Sequence, residues 1–143
     1  VYSYYDSQND YYIVEWSDVR TFYNNSTESF QVILYNTGWQ THTGDDEIKI
    51  QFKEFNNTSV GDYPVGNWDG PVVHGQYCTV GIENHLANDG LQYTYNNNYH
   101  ESSMELSDQT ALFITTKRET DLAQPSLNWD TEELYFEMQN WEN

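Results

Sequence analysis

Residues 47–55 read EIKIQFKEF. Ile48, Ile50 and Phe52 alternate there with Lys49, Gln51 and Lys53. A period of two belongs to a strand with one dry side and one wet side. The same reading extends outward. In SFQVILY at 29–35, Phe30, Val32 and Leu34 share one face, and in YCTVGIEN at 77–84 the inward set is Cys78, Val80 and Ile82. Four further runs, Val1–Tyr5, Tyr11–Val19, Leu91–Asn96 and Thr110–Thr116, have strand character, and no stretch among them keeps a helical period over three turns. Short strands at this spacing, broken by turn residues, predict an all-β fold: an antiparallel β-sandwich, jelly-roll-like, of about seven strands.

The punctuation agrees. DSQND at 6–10 separates two Tyr-rich runs and reads as a tight hairpin. HLANDG at 85–90 joins Tyr77–Asn84 to Leu91–Asn96, with Gly90 expected to supply a positive φ and the Asn and Asp side chains to cap local backbone. Residues 56–76 form a long excursion of the kind that is functional or packed by its own side chains. After Thr116 the chain turns acidic. Residues 1–116 therefore read as the sandwich module, 117–127 as a linker, and ELYFEMQ at 133–139 as a strand-like tail that starts a next module.

Charge narrows the function classes. The 143 residues carry 23 acids against 5 bases, a formal charge of −18. Such a surface repels phosphate backbones and anionic lipid, so nucleic-acid partners are not expected, and it suits a protein kept soluble outside the cell. Aromatic residues make up 17% of the chain, 13 of them Tyr, which fits pleated half-buried surfaces and argues against a disordered acidic tail. A single cysteine, Cys78, allows no internal disulfide. No apolar run is long enough to insert in a membrane.

The order of blocks FQVILYNTG, GDDEIKIQFKEF, CTVGIENHLANDGLQYTYNNNY and LSDQTALFITT resembles β-sandwich modules of the nidogen-like class. Such modules belong to secreted multi-domain bacterial proteins, often beside subtilisin-like or gingipain-like peptidases. The resemblance covers residues 1–116 and implies an accessory module at the cell surface or outside the cell, with its N-terminal strands missing from this chain. It implies partners in neighbouring domains of the parent protein, or in a neighbouring subunit. It carries no catalytic residues.

The residues themselves agree with that last point. There is no G-x-S-x-G elbow and no H-E-x-x-H, and His42, His74, His85 and His100 are scattered through turns and loops. Calcium is the ion the loops suit, because it takes carboxylate and carbonyl oxygens. Asp45, Asp46 and Glu47 open one strand and Asp62 lies in the long loop. For a glycan, Trp39 in TGWQ and Trp68 in GNWDG could lay a flat ring against a sugar face, with Asn67 and Asp69 bonding hydroxyls. The two Trp loops leave opposite ends of a strand about 30 Å long, so they join only if the long loop folds back. Three functions follow: a non-catalytic adhesion or substrate-presenting module, a subunit completed by strand exchange, or a carbohydrate-binding module.

Overall fold

The computed structural model describes residues 1–21, 26–58 and 77–117 in full, and Tyr135–Asn140 as backbone. Among these residues there are nine strands, one 3₁₀ turn and no α-helix. The strands are β1 (Tyr2–Asp6), β2 (Tyr11–Arg20), β3 (Thr27–Tyr35), β4 (Ile48–Glu54), β5 (Val80–Glu83), β6 (Gly90–Tyr95), β7 (Asn98–Tyr99), β8 (Thr110–Thr115) and β9 (Tyr135–Asn140). The all-β expectation holds. Every pairing is antiparallel, and the two sheets are ordered β1-β2-β3-β4-β8-β9 and β5-β6-β7, an arrangement compatible with a sandwich-like fold.

Contacts separate two compact units: Val1–Phe55 with Leu106–Asn143, and Asn56–Glu105. Where the sequence reading drew 1–116 as one stretch, the contacts set Asn56–Glu105 apart between β4 and β8. The tail strand β9 pairs along the whole of β8, from Thr110 opposite Asn140 to Thr115 opposite Tyr135.

Register explains the larger sheet. Phe30 lies beside Phe52, Val32 beside Ile50 and Leu34 beside Ile48, and β8 continues the rows with Leu112 beside Ile50 and Ile114 beside Ile48. Leu112 is fully buried at 0% exposure. Trp16 stacks on Phe30 at 4.9 Å, and Phe30, Phe52 and Phe55 continue the aromatic row. This is the apolar face that the alternation predicts.

The other face differs from expectation. Lys49 and Gln51, read as the wet side of β4, are 3% and 2% exposed. β4 is an interior strand, with Lys49 between Ile33 and Phe113, and Gln51 between Gln31 and Ala111. Ile48 and Ile50, paired on both sides in the same way but on the opposite face, are only half-buried, so the Lys49–Gln51 face is the better covered of the two. Only Lys53, near the strand end, stays exposed.

The turns are built by side chains. Asp6 accepts from the backbone N–H groups of Gln8 and Asn9 at 2.9 and 3.1 Å, closing the β1–β2 hairpin with Asp10 at a φ of +57°. In HLANDG the cap is Asn84, whose Oδ1 accepts from the N–H groups of Leu86 and Asn88. The expected role of Gly90 is corrected here: Ala87 takes the positive φ, and Gly90 lies in β6. A Cβ on Gly90 would stand 2.6 Å from the carbonyl oxygen of Ile82, so glycine is needed for close strand approach. Asn96 and Asn97, both left-handed, form the two-residue β6–β7 turn that favours Asn.

Truncating Leu112 to Ala should lower stability by about 2–5 kcal/mol. Leu34→Ala, on the same face but 43% exposed, should cost much less. Urea midpoints at constant slope measure both.

Candidate functional site

Trp39 sits in the 3₁₀ turn Gly38–Gln40, and its side chain is 81% exposed. Trp68, Asn67 and Asp69, named with it, lie outside the described residues, as does Asp62.

The Asp45–Glu47 run is divided among separate tasks. Asp45 is exposed, and its backbone carbonyl accepts from Thr41 Oγ1 at 2.8 Å. Asp46 Oδ1 accepts from the N–H groups of Thr37 and Gly38 at 3.0 and 2.7 Å, fastening the turn that carries Trp39. Glu47 is 3% exposed; its two oxygens take Thr115 Oγ1 at 2.7 Å and Lys117 Nζ at 2.9 Å. That pair ties the entry of β4 to the exit of β8. The structure does not gather these acids into a ligand set: among the described residues no three His, Cys, Asp or Glu side chains converge as a metal site.

Of the histidines, His42, His85 and His100 are exposed, and His74 lies outside the described residues. His100 Nδ1 bonds Ser102 Oγ at 2.7 Å and accepts the Ser102 N–H at 3.3 Å, two residues along an exposed turn. Both bonds come from the turn itself, which accounts for the pair without nucleophilic chemistry. Cys78 is half-buried, and its carbonyl accepts from the N–H of Asn97.

The first hairpin is the most aromatic exposed surface. Tyr2, Tyr4, Tyr5 and Tyr12 are all exposed, with Tyr2 and Tyr4 on one face and Tyr5 directly opposite Tyr12 on the other. Its turn is electrostatically organised. Hydrogen bonds from the Asn9 side chain and the Asn9 and Gln8 backbone hold the Asp6 carboxyl below its ordinary range. Tyr5 Oη, at 2.6 Å, and then Asn36 Nδ2 do the same for Asp10. In return, the bond to the Asp10 carboxylate raises the Tyr5 phenol.

On the face of the sheet that holds Lys49, a groove of about 500 Å³ crosses β2, β3 and β4. Tyr11, Ile13, Ile33, Tyr35 and Lys53 line it. Tyr11 and Tyr35 meet edge to face at 5.6 Å, and Tyr35 leans on Phe113. Along the groove runs a ladder of paired residues: Glu15 beside Gln31, and Gln31 beside Gln51. Gln31 Nε2 donates to Glu15 Oε2 at 2.7 Å, and Gln51 Nε2 donates to Gln31 Oε1 at 2.8 Å. An ionised carboxylate only accepts, so Glu15 fixes the direction of both amides. The ladder therefore ends on Gln51 Oε1, which is buried and has no hydrogen-bond partner among the described residues. Sequence reading missed this ladder because it treated 49, 51 and 53 as solvent-facing. The available signal was the registered polar position shared by three adjacent strands.

No family model matches the chain, and neither a curated protein nor a solved structure matches it.

The hairpin electrostatics have a pH signature. Depressed folded-state pKa values at Asp6 and Asp10 mean that their contribution is present above the ordinary aspartate pKa of about 4 and is lost as pH falls through the folded values. Carboxyl-carbon NMR titration should give midpoints below that value for both residues. Asn36→Ala should move the Asp10 midpoint upward and leave Asp6 in place.

Proposed function

We propose that this chain is a non-catalytic adhesion or substrate-presenting module of an exported bacterial protein, acting at the cell surface or outside the cell beside other domains. The observation that carries the reading is the row of exposed tyrosines on the β1–β2 hairpin. Tyr offers a large rigid ring with a polar tip, loses little conformational entropy on contact, and is enriched where proteins bind one another. The charge of −18 supports the setting, since it favours solubility and opposes nucleic-acid binding. Among the described residues no helix is long and apolar enough to cross a membrane. The likeness to nidogen-like modules supports the same reading.

The test is retention of the labelled chain on bacterial cells and on extracellular-matrix preparations. The Tyr2→Ser/Tyr4→Ser variant should lose about tenfold or more in affinity with its melting temperature kept, because both rings are exposed. Retention indifferent to that change would reject the hairpin. Hydrolysis of a peptide, ester or glycoside by the chain, abolished by one substitution, would reject the non-catalytic reading itself.

A second reading rests on a different observation. β1 closes one edge of the six-stranded sheet, pairs with β2 without a bulge, and contains no Lys or Pro. Those are the devices that normally protect an edge from a further strand. On this reading the chain is a subunit of an extracellular assembly joined by strand addition at β1. Sedimentation should show mass growing with concentration, and Tyr4→Lys should suppress it. A monomer at every concentration rejects the assembly.

A further inference from the structure

The Glu15–Gln31–Gln51 ladder has a property that a purely structural network lacks. A buried acceptor without a donor costs about 1–3 kcal/mol, and native proteins keep few of them. Gln51 Oε1 is such an acceptor, on a side chain that is 2% exposed and lines the groove. No side-chain donor stands in the next position of the ladder, where β8 places Ala111. An apolar residue at 51 would remove this acceptor but take from Gln31 Oε1 the amide that donates to it. The amide stands among the residues that line the groove.

The composition of the groove says what kind of ligand fits. Glu15 uses one carboxylate oxygen for Gln31 and leaves Oε1 for a donor. The last torsion of a Gln is broad in energy, so the Gln51 amide can turn when a ligand hydroxyl replaces the bond it donates to Gln31. When it turns, its own oxygen and Gln31 Oε1 both ask for donors. Three acceptors in line on adjacent strands, about 5 Å apart, span about 10 Å. Acceptors repel anions, and the carboxylate of Glu15 and the ammonium of Lys53 line the groove with opposite charges, so their sum selects no ion. Tyr11, Tyr35, Ile13 and Ile33 supply flat and apolar surface. A neutral molecule with several hydroxyl donors and an apolar face meets all of these conditions.

We propose that the β2–β3–β4 groove is a binding site for a neutral saccharide of two or more rings, its hydroxyls donating to Glu15, Gln31 and Gln51 and its apolar face on Tyr11 and Tyr35. The site excludes Trp39, but its edge at Glu15 and Ile13 adjoins Tyr2 and Tyr4 of the hairpin; Gln51 lies on β4, three strands from β1, so a change there separates this site from the adhesion reading.

The experiment is saturation-transfer NMR and calorimetry on the whole chain. The probes are neutral di- to hexasaccharides of glucose, mannose, galactose and N-acetylglucosamine. At least one series should bind, with affinity rising from one ring to two. Glu15→Gln and Tyr35→Ala should each weaken it about tenfold or more, and Trp39→Ala should leave it unchanged. Because Tyr35→Ala could disturb folding, Gln51→Leu supplies the second arm: it removes the orphan acceptor together with the amide that donates to Gln31 Oε1, and with a cooperative melt retained it should weaken binding. Four results would overturn the site: no binding in any series, binding lost with Trp39, binding untouched by Glu15→Gln, or a folded Gln51→Leu that binds as before.

Discussion

Strand β4 has to pair on both sides at once. On one side is β3, a short connection earlier in the chain; on the other is β8, which arrives only after the whole Asn56–Glu105 unit. Backbone N–H and C=O groups inside a sheet cannot be left unpaired, so this double pairing sets the interior of the larger sheet. It places Leu112 at the buried centre and brings Thr115 and Lys117 to Glu47. Phe55 N–H donating to Asp108 and Gln109 Nε2 donating to the Lys53 carbonyl fasten the other end of the same junction. Closing a long loop costs only slowly more as it lengthens, which is why an intervening unit of that size is tolerable.

The same constraint gives β4 its unusual second face. A charged or amide side chain on an interior strand is flanked whether or not it suits burial. The chain answers with a polar ladder in which each member answers the next, from the Glu15 carboxylate through Gln31 to Gln51. A ladder with a fixed direction must end somewhere. Here it ends on an acceptor beside a groove, and the misfit marks the place where local consistency gives way.

How much of this could be read from residues alone differs by level. Eight of the nine strands were visible in alternation and aromatic content, including the tail strand that joins β8. The two-residue β7 was not, because two residues carry no period. HLANDG was legible as a turn, yet its mechanism was not: the cap belongs to Asn84 and the left-handed residue is Ala87. Trp39 was legible as an exposed ring. The acids named for calcium were a composition signal, and Asp46 and Glu47 serve a turn and a strand junction.

The sequence by itself determined the class of fold, because a period of two is a local property of the pleated backbone and needs no partner to be seen. It also determined the formal charge of −18, which is a sum over residues and needs no fold. Only the tertiary structure decided which side of β4 is buried, since that depends on strands far apart in the chain lying on both flanks. For the same reason only register could bring Glu15, Gln31 and Gln51 into one line. Pairing across strands is a long-range fact, and no window of neighbouring residues contains it.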